Sequence, residues 1–273
     1  MSCITPLGIK HKVSGQTIQV PCGKCPNCKK RRTSGWSFRL MQEYKISESA
    51  HFITLTYDTL KVPITKKGYM NLDKRDLQLF FKRLRKRHGK NSKIRYYACG
   101  EYGSKTFRPH YHIILFGANI NFISPAWDLG HVHYGQVTEA STGYTLKYIN
   151  KEKKIPMHIN DDRQREFSLM SKGLGKNYMS KKMVKWHKND LENRFYCNLE
   201  DGKKIAMPRY YKDKIYTEME RKRVAFFTRQ KMEKQIIEET SKDPEYWSKK
   251  ASADEHIFDK HKYKTNHEHR TKI

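Results

Sequence analysis

The stretch RPHYHIILFG, residues 108–117, decides the fold because it joins a proline turn signal, two histidines and a strand-like apolar run. Side chains in a β-strand alternate between its two faces, so His110 and His112 point the same way. Two imidazoles on one face can converge on one metal ion, since neutral imidazole is a common metal ligand. A His-x-His pair also occurs in half-buried strands that bind no metal. The rest of the chain has to distinguish these two interpretations.

The composition of the chain indicates a polyanionic partner. Its 273 residues include 56 Lys and Arg against 28 Asp and Glu, a formal net charge of +28. Such an excess destabilises a compact state by self-repulsion, and nucleic acid is the usual partner that neutralises it. Against a membrane partner, no segment approaches about 18 consecutive apolar residues, and MSCITPLGIKHK lacks the apolar core of a signal peptide. We therefore expect a soluble, intracellular protein.

The cysteines form a second pattern near the N-terminus. Cys22, Cys25 and Cys28 lie in PCGKCPNC at the C-x2-C spacing of tetrahedral metal sites, and Cys3 could supply a fourth thiolate. In a reducing compartment such cysteines are thiols or metal ligands rather than disulfides. A structural zinc site, an iron–sulfur cluster and unmetallated turn cysteines all remain open. Cys99 and Cys197 are expected to be small packing residues.

The central part of the chain predicts an α+β fold. HFITLTYD (51–58), IRYYAC (94–99) and HYHIILF (110–116) are rich in β-branched and aromatic residues, which is typical of strands. Between the first two strands, Leu77, Phe80, Phe81 and Leu84 recur at helical spacing. Asp73 fits an N-cap and Gly89 a C-terminal stop. This order predicts an antiparallel sheet flanked by helices, with Glu101 near the connection from which its carboxylate could reach the two histidines.

Basic residues cover the other face of the predicted helix at residues 74–88. They are Lys82, Arg83, Arg85, Lys86 and Arg87. They could be solubilising charge, but in a chain this basic we favour contacts to phosphates. Arg108 and Lys151 are further candidates for DNA contacts, since they accompany the histidine motif and the tyrosine motif.

The stretch STGYTLKYINKEKK, residues 141–154, predicts a helix with an unusual face. Tyr144, Lys147, Tyr148 and Lys151 fall at i, i+3, i+4 and i+7 and share one stripe. The structural alternative is a tyrosine-rich amphipathic face whose lysines extend to water. With a His-x-His strand and a carboxylate upstream, the stripe instead suggests attack of a tyrosine on a phosphodiester.

The chemistry of such an attack explains why these residue types belong together. A tyrosine hydroxyl, with an ordinary pKa of about 10, is a poor nucleophile unless its target is strongly activated. A divalent cation, Mg²⁺ or Mn²⁺, held by His110, His112 and Glu101 would activate a DNA phosphate. Lys147 could stabilise the phenolate or the developing phosphate charge. Because one phosphodiester replaces another, the step needs no ATP.

Three motifs in order, FITLTYD, RPHYHIILFG and YTLKYINK, resemble those of HUH endonucleases, the rolling-circle replication initiators. The two-tyrosine form is most similar to replication proteins of microviruses, and PCGKCPNC, GEYG and RPHYH are similar to the gokushovirus branch. The resemblance spans roughly residues 1–155 and continues more weakly through SLMSKGLGKNY and MPRYY. It implies an RRM-like palm with the histidine pair on a central strand and the nucleophile on a nearby helix.

The resemblance also implies roles and partners. Tyr144 would attack the viral strand at the origin and keep the 5′-phosphate, leaving a 3′-OH primer, and Tyr148 would attack after one circuit to release a joined circle. Single-stranded and supercoiled viral origin DNA, a host helicase and a host DNA polymerase are the implied partners, in the cytoplasm of a bacterial host. The implied organisation is a cysteine-knuckle region (1–50), a nicking domain (51–155) and a basic C-terminal region (156–273).

The C-terminal region gives weaker signals. NLEDGKKIAM (198–207) predicts a hairpin with an Asp-Gly turn, and a capping box formed by Thr217 and Glu220 predicts the start of a helix that ends at Asp243 and Pro244. The last twenty or so residues are polar and are expected to be disordered.

Three alternatives stay open. A second His-x-His pair, His131 and His133, is expected to belong to an ordinary strand or to contact DNA. A non-catalytic protein that packages nucleic acid would also explain the charge and the cysteines. A plasmid relaxase or a single-strand transposase would use the same chemistry in another setting.

Overall fold

The computed structural model describes residues 3–10, 15–89, 93–138, 143, 145–146 and 155–270, the last eight of these by their backbone alone. The chain divides into two compact units. The sheet unit comprises Ser37–Asn177, and the cysteine unit comprises Met1–Trp36 together with Tyr178–Ile273. The residues predicted to carry the chemistry, from Glu101 to Lys151, belong to the sheet unit.

A five-stranded antiparallel sheet forms the centre of the sheet unit. Its strands are β3 (Ala50–Tyr57), β4 (Arg95–Tyr102), β5 (Pro109–Phe116), β6 (Gly130–Gly135) and β7 (Phe167–Met170). Their order across the sheet is β6-β3-β5-β4-β7. The predicted antiparallel sheet with flanking helices is therefore confirmed, and the first His-x-His pair lies on the middle strand.

Helix α2 (Lys74–His88) covers one face of this sheet, as its apolar spacing predicts. Leu77, Phe80 and Leu84 are fully buried against alternate residues of the strands, such as Ile53 and Ile113. Asp73 caps the helix by accepting a hydrogen bond from the backbone N–H of Arg75 at 2.6 Å. Because strand side chains alternate, this apolar face leaves His110 and His112 on the opposite face.

Two features of the sheet differ from the sequence interpretation. The second predicted strand does not end at Cys99 but continues through Tyr102, so Glu101 lies within β4 and is held by a ladder rather than by a loop. The sheet also gains β7, which pairs with β4 and comes from residues beyond 155. A four-residue strand at a sheet edge has too short a pattern to be recognised from sequence.

The cysteine unit contains two small hairpins and several helices. Strands β1 (Leu7–Lys10) and β2 (Thr17–Val20) form the first hairpin, and β8 (Tyr196–Asn198) and β9 (Lys204–Ala206) form the second, as predicted. Helix α1 (Pro26–Tyr44) begins in this unit and includes Cys28 and the KKRR run, so it is longer than the sequence suggests. The remaining helices are α3 (Lys181–Lys188), α4 (Arg209–Ile215), α5 (Glu218–Lys242) and α6 (Tyr246–Arg270).

The C-terminal helices give one confirmation and one correction. Helix α5 begins with the predicted capping box of Thr217 and Glu220 and ends at Asp243. The tail expected to be disordered is helical through Arg270. Its Lys, Glu and Ala residues favour helix, and after Pro244 no Gly or Pro interrupts the backbone hydrogen bonds. Within the described ranges, no helix is both long and apolar enough to cross a membrane.

Candidate active site

Glu101, His110 and His112 converge on one point of the sheet face opposite α2. Glu101 and His110 are direct cross-strand partners of β4 and β5, and His112 lies two residues further along β5. Glu101 Oε1 is 2.8 Å from His110 Nε2 and 3.3 Å from His112 Nε2. The three side chains are 6%, 18% and 7% exposed, respectively. The predicted ligand set is thus brought together in a largely buried place.

The outer nitrogens of both imidazoles are engaged by neighbours. His110 Nδ1 lies 3.2 Å from the carbonyl oxygen of Arg108, which can only accept, so Nδ1 carries the proton. His112 Nδ1 lies 2.9 Å from Thr54 Oγ1, and the ring stacks on Phe52 with its centroid 5.8 Å away. These contacts turn both Nε2 atoms toward the Glu101 carboxylate.

The resulting donor set calls for a cation. With its proton on Nδ1, the neutral His110 ring presents a lone pair at Nε2, and the Glu101 carboxylate also only accepts hydrogen bonds. Two acceptors 2.8 Å apart are compatible only with a shared proton or a bound metal between them. Two imidazoles and one carboxylate are ordinary ligands of divalent transition metals. These residues therefore fit the divalent cation expected from the sequence.

Thr54 is a site residue that sequence reasoning missed. It belongs to FITLTYD and pairs with His112 across β3 and β5, while Thr56 pairs with His110. The signal was present, because Thr54 and Thr56 alternate with the buried Ile53 and Leu55 and so must face away from the apolar core. Orientation of the ligand ring is a usual task of such a neighbour.

The tyrosine motif is described at only a few positions. Tyr144, Lys147, Tyr148 and Lys151 lie outside the described residues. Gly143, Thr145 and Leu146 are helical, and Thr145 and Leu146 are fully buried. Cys99 Sγ is 3.9 Å from the carbonyl oxygen of Thr145, and Cys99 is the cross-strand partner of His112. The backbone next to Tyr144 thus lies against the strand that borders the histidine pair.

The second His-x-His pair lies on the same face as the first. His131 pairs with Thr56 and His133 with Thr54, on the edge strand β6. A strand separation of about 4.8 Å places these histidines about 10 Å from the first pair, across β3. The His131 side chain is 76% exposed, and its Nε2 lies 3.2 Å from Asp58 Oδ1. The pair belongs to a strand, as expected, and does not share the Glu101 site.

The predicted DNA contacts are dispersed. Lys82, Arg83 and Lys86 lie on α2, which covers the other face of the sheet. The Arg83 guanidinium donates to the Ala126 carbonyl at 2.9 Å and forms an ion pair with Asp128 at 2.7 Å. Arg108 donates to the Tyr57 carbonyl at 2.6 Å. Of these residues, only Arg108 directly adjoins the Glu101 site, and Arg83 and Arg108 both support neighbouring backbone.

The structure brings a second set of ligand atoms together in the cysteine unit. The sulfurs of Cys3, Cys22, Cys25 and Cys28 all lie within 4.8 Å of one another. Hydrogen bonds from the Thr5 hydroxyl and from backbone N–H groups lower the pKa of Cys22 to about 5, whereas burial raises the pKa of Cys28 to about 12. Cys99 and Cys197 are buried elsewhere, as predicted.

Comparison with known proteins agrees with these observations. A family model that describes replication-associated proteins of the ORF2 type matches residues 50–153. The chain is similar to phage replication-associated proteins. It is 26% identical to replication-associated protein ORF2 of Spiroplasma virus 4, over 86% of each chain. It is 25% identical to replication-associated protein VP4 of Bdellovibrio phage phiMH2K, over 78% of this chain and 76% of the relative.

A third relative is replication-associated protein ORF4 of Chlamydia phage 1, 25% identical over 74% of this chain and 55% of the relative. No solved structure matches the chain. The resemblance to microvirus replication proteins, drawn from three short motifs, is therefore confirmed. The match at residues 50–153 begins with β3 and includes the Glu101 site and the tyrosine motif.

Proposed function

We propose that the protein is a rolling-circle replication initiator that nicks the viral strand at its origin and later rejoins it. The observation that carries this proposal is the convergence of Glu101, His110 and His112 at one point, beside the backbone of Thr145. The names of its phage relatives and the net charge of +28 support a role in viral DNA replication. We assign the reaction to the region 51–155 and binding of origin DNA to the whole chain.

In the proposed reaction, the hydroxyl oxygen of Tyr144 attacks the phosphorus of the scissile phosphodiester. A 5′-phosphotyrosyl bond forms, the 3′ oxygen leaves, and the proton lost by tyrosine completes a free 3′-OH. Lys147 stabilises the developing negative charge. Tyr148 repeats the attack after one circuit, and the released 3′-OH then displaces Tyr144, which closes the circle. Bond energy is conserved in each exchange, so no ATP is consumed.

Glu101, His110 and His112 would hold a divalent cation for this reaction. When bound, the cation would supply Lewis-acid stabilisation of charge on the phosphate oxygens. The chain's own part is to fix the ligand geometry: Thr54 and the Arg108 carbonyl hold the rings, and β4 and β5 hold the carboxylate opposite them. Because two of the three ligands are imidazoles, we expect Mn²⁺ to bind more tightly than Mg²⁺.

The competing function is packaging of nucleic acid without catalysis. It accounts for the positive charge and for the cysteine cluster. It gives no reason for two histidines and a carboxylate to share one buried point on a sheet. A plasmid relaxase or transposase would share the chemistry but would cut a different DNA site. Viral origin DNA, a host helicase and a host DNA polymerase are the proposed partners, in the cytoplasm of the host.

The test is formation of a covalent adduct with a single-stranded origin oligonucleotide in Mn²⁺ or Mg²⁺. We expect a metal-dependent adduct that mass spectrometry locates to Tyr144 or Tyr148. Each single Tyr→Phe variant should retain an adduct on the remaining tyrosine, and the double variant should form none. His110→Ala with His112→Ala should also abolish it, whereas Tyr134→Phe, at a tyrosine on the opposite side of β6, should not. Steep salt-dependent binding without any adduct would favour packaging.

A further inference from the structure

The cysteine cluster is separate from the proposed nicking chemistry and has the geometry of a metal site. Cys3 Sγ and Cys25 Sγ are 3.8 Å apart, and all four sulfurs lie within 4.8 Å of one another. A tetrahedron with zinc–sulfur distances of about 2.3 Å has edges of about 3.8 Å. The spacing of the sulfurs therefore matches four thiolates around one ion. In a cubane iron–sulfur cluster each thiolate binds a different iron, which requires wider separations.

Hydrogen bonds around Cys22 and Cys3 suit sulfur atoms that carry negative charge. Cys22 Sγ accepts from the backbone N–H of Cys25 at 3.2 Å and of Lys24 at 3.4 Å, and from the Thr5 hydroxyl at 3.3 Å. Cys3 Sγ accepts from the Cys22 N–H at 3.3 Å. Donors aimed at a ligand sulfur fix its orientation, as the outer neighbours of metal ligands generally do.

The local charge also favours a dianionic metal–thiolate group. The first acidic residue of the chain is Glu43, so residues 1–42 offer no carboxylate ligand. Cys28 lies in the first turn of α1, where the helix dipole stabilises negative charge, and KKRR (29–32) follows directly. An all-sulfur site without carboxylates selects a soft or borderline ion such as zinc over magnesium or calcium.

The hairpin of β1 and β2 gives a reason for the site. Every residue of β1 is exposed, and β2 alternates between exposed and half-buried residues, so the hairpin has almost no apolar core. An isolated two-stranded hairpin is marginal in water. Cys3 precedes β1 and Cys22 follows β2, while Cys25 and Cys28 lie at the start of α1. One ion would therefore join both ends of the hairpin to the helix.

We propose that one zinc ion is bound in a closed structural site by four thiolates, those of Cys3, Cys22, Cys25 and Cys28. Four protein ligands leave no open position for a substrate, so the ion holds the fold and takes no part in chemistry. Binding would contribute directly to the stability of the hairpin and the start of α1, since the ligands do not converge in an unfolded chain.

The test is metal analysis of the full-length protein purified without added metal. We expect about one zinc per chain, retained after dialysis and released when a mercurial reagent titrates the thiols. Exchange with Co²⁺ should give the intense charge-transfer absorption of a tetrathiolate site. His110→Ala with His112→Ala should leave this zinc in place, which separates the result from that of the nicking proposal.

Two variants provide the comparison. Cys25→Ser should lower the zinc content at least tenfold, whereas Cys197→Ser, at a buried thiol outside the cluster, should leave it unchanged. If Cys25→Ser is insoluble, the Co²⁺ spectrum of the unaltered protein decides. Soluble, folded protein without zinc, with freely reactive thiols and no thiolate–Co²⁺ band, would overturn the proposal. Iron with inorganic sulfide in the purified protein would overturn it as well.

Discussion

A single hydroxyl, that of Thr54, determines which nitrogen of His112 faces the ligand site. Thr54→Val keeps the shape of the side chain and removes the hydrogen bond to His112 Nδ1. Loss of such a contact typically lowers metal affinity by about 10- to 100-fold. We therefore expect weaker Mn²⁺ binding in calorimetry and a higher Mn²⁺ requirement for adduct formation.

Two further variants define this effect. Thr54→Ser retains the hydroxyl and should bind metal as the unaltered protein does. Thr56→Val removes a hydroxyl that contacts the His131 carbonyl instead, at 3.4 Å, and should also bind normally. Equal Mn²⁺ affinity in Thr54→Val and the unaltered protein would show that the hydroxyl does not orient the ring.

A second residue-scale prediction concerns stability at low pH. The Asp161 carboxylate accepts two hydrogen bonds from the Arg163 guanidinium, at 2.9 and 2.8 Å, and both side chains are almost fully buried. This bidentate contact, with the Met157 N–H, holds the pKa of Asp161 well below its usual range. The guanidinium also lies 5.0 Å from the Tyr69 ring. Asp161→Asn should destabilise the protein by about 3–5 kcal/mol at pH 7, because it leaves a buried charge without its partner.

The sign of the pH dependence follows from the lowered pKa. The ion pair contributes fully above the pKa of an unfolded Asp, about 4, and its contribution disappears as the pH falls toward the folded value. The difference in free energy of unfolding between Asp161→Asn and the unaltered protein should therefore shrink below pH 4. Urea titrations at pH 7 and pH 3 measure it. A difference that is constant across this range would contradict the ion-pair explanation.

At the scale of elements, the strands were predicted where alternation was long and the helix where its apolar face was complete. HFITLTYD and HYHIILF each alternate over seven or more residues, and α2 carries both an N-cap and a stop. The sequence placed Glu101 near the histidines but could not show that it faces His110 directly. That register depends on strand pairing between β4 and β5, and pairing is a tertiary property. The short edge strand β7 was missed for the same reason.

Strand β6 supports a prediction about DNA binding. His131 and His133 share a sheet face with the Glu101 site and lie on its open edge. A single strand bound at that site would extend across this edge, so His131→Ala with His133→Ala should weaken binding of a short origin oligonucleotide about 3- to 30-fold, as expected for the loss of roughly one to two polar contacts. Metal affinity at Glu101 should not change. Fluorescence anisotropy and calorimetry measure these two quantities.

Helix α2 offers the matched control for this experiment. Lys82 and Lys86 are exposed on the other face of the sheet. We propose that they contact phosphates of longer DNA, outside the segment that is cut. Lys82→Ala with Lys86→Ala should therefore weaken binding of a long duplex and leave the short oligonucleotide unaffected. The opposite order of effects would place the cut strand on the face covered by α2.

For the whole molecule, the net charge of +28 predicts that affinity for DNA and chemical specificity respond differently to salt. Each neutralised phosphate of a single strand contributes about −0.7 to the slope of log K against log salt, so six or more contacts lower the affinity by more than about 300-fold between 50 and 200 mM salt. The His110→Ala, His112→Ala variant should give the same slope, because its basic residues are unchanged. Only the unaltered protein should form an adduct, and only on origin sequence when both DNAs are saturating. A protein built to package DNA would show the slope and no adduct on any sequence, whereas an initiator combines non-specific charge for encounter with a separate buried site for chemistry.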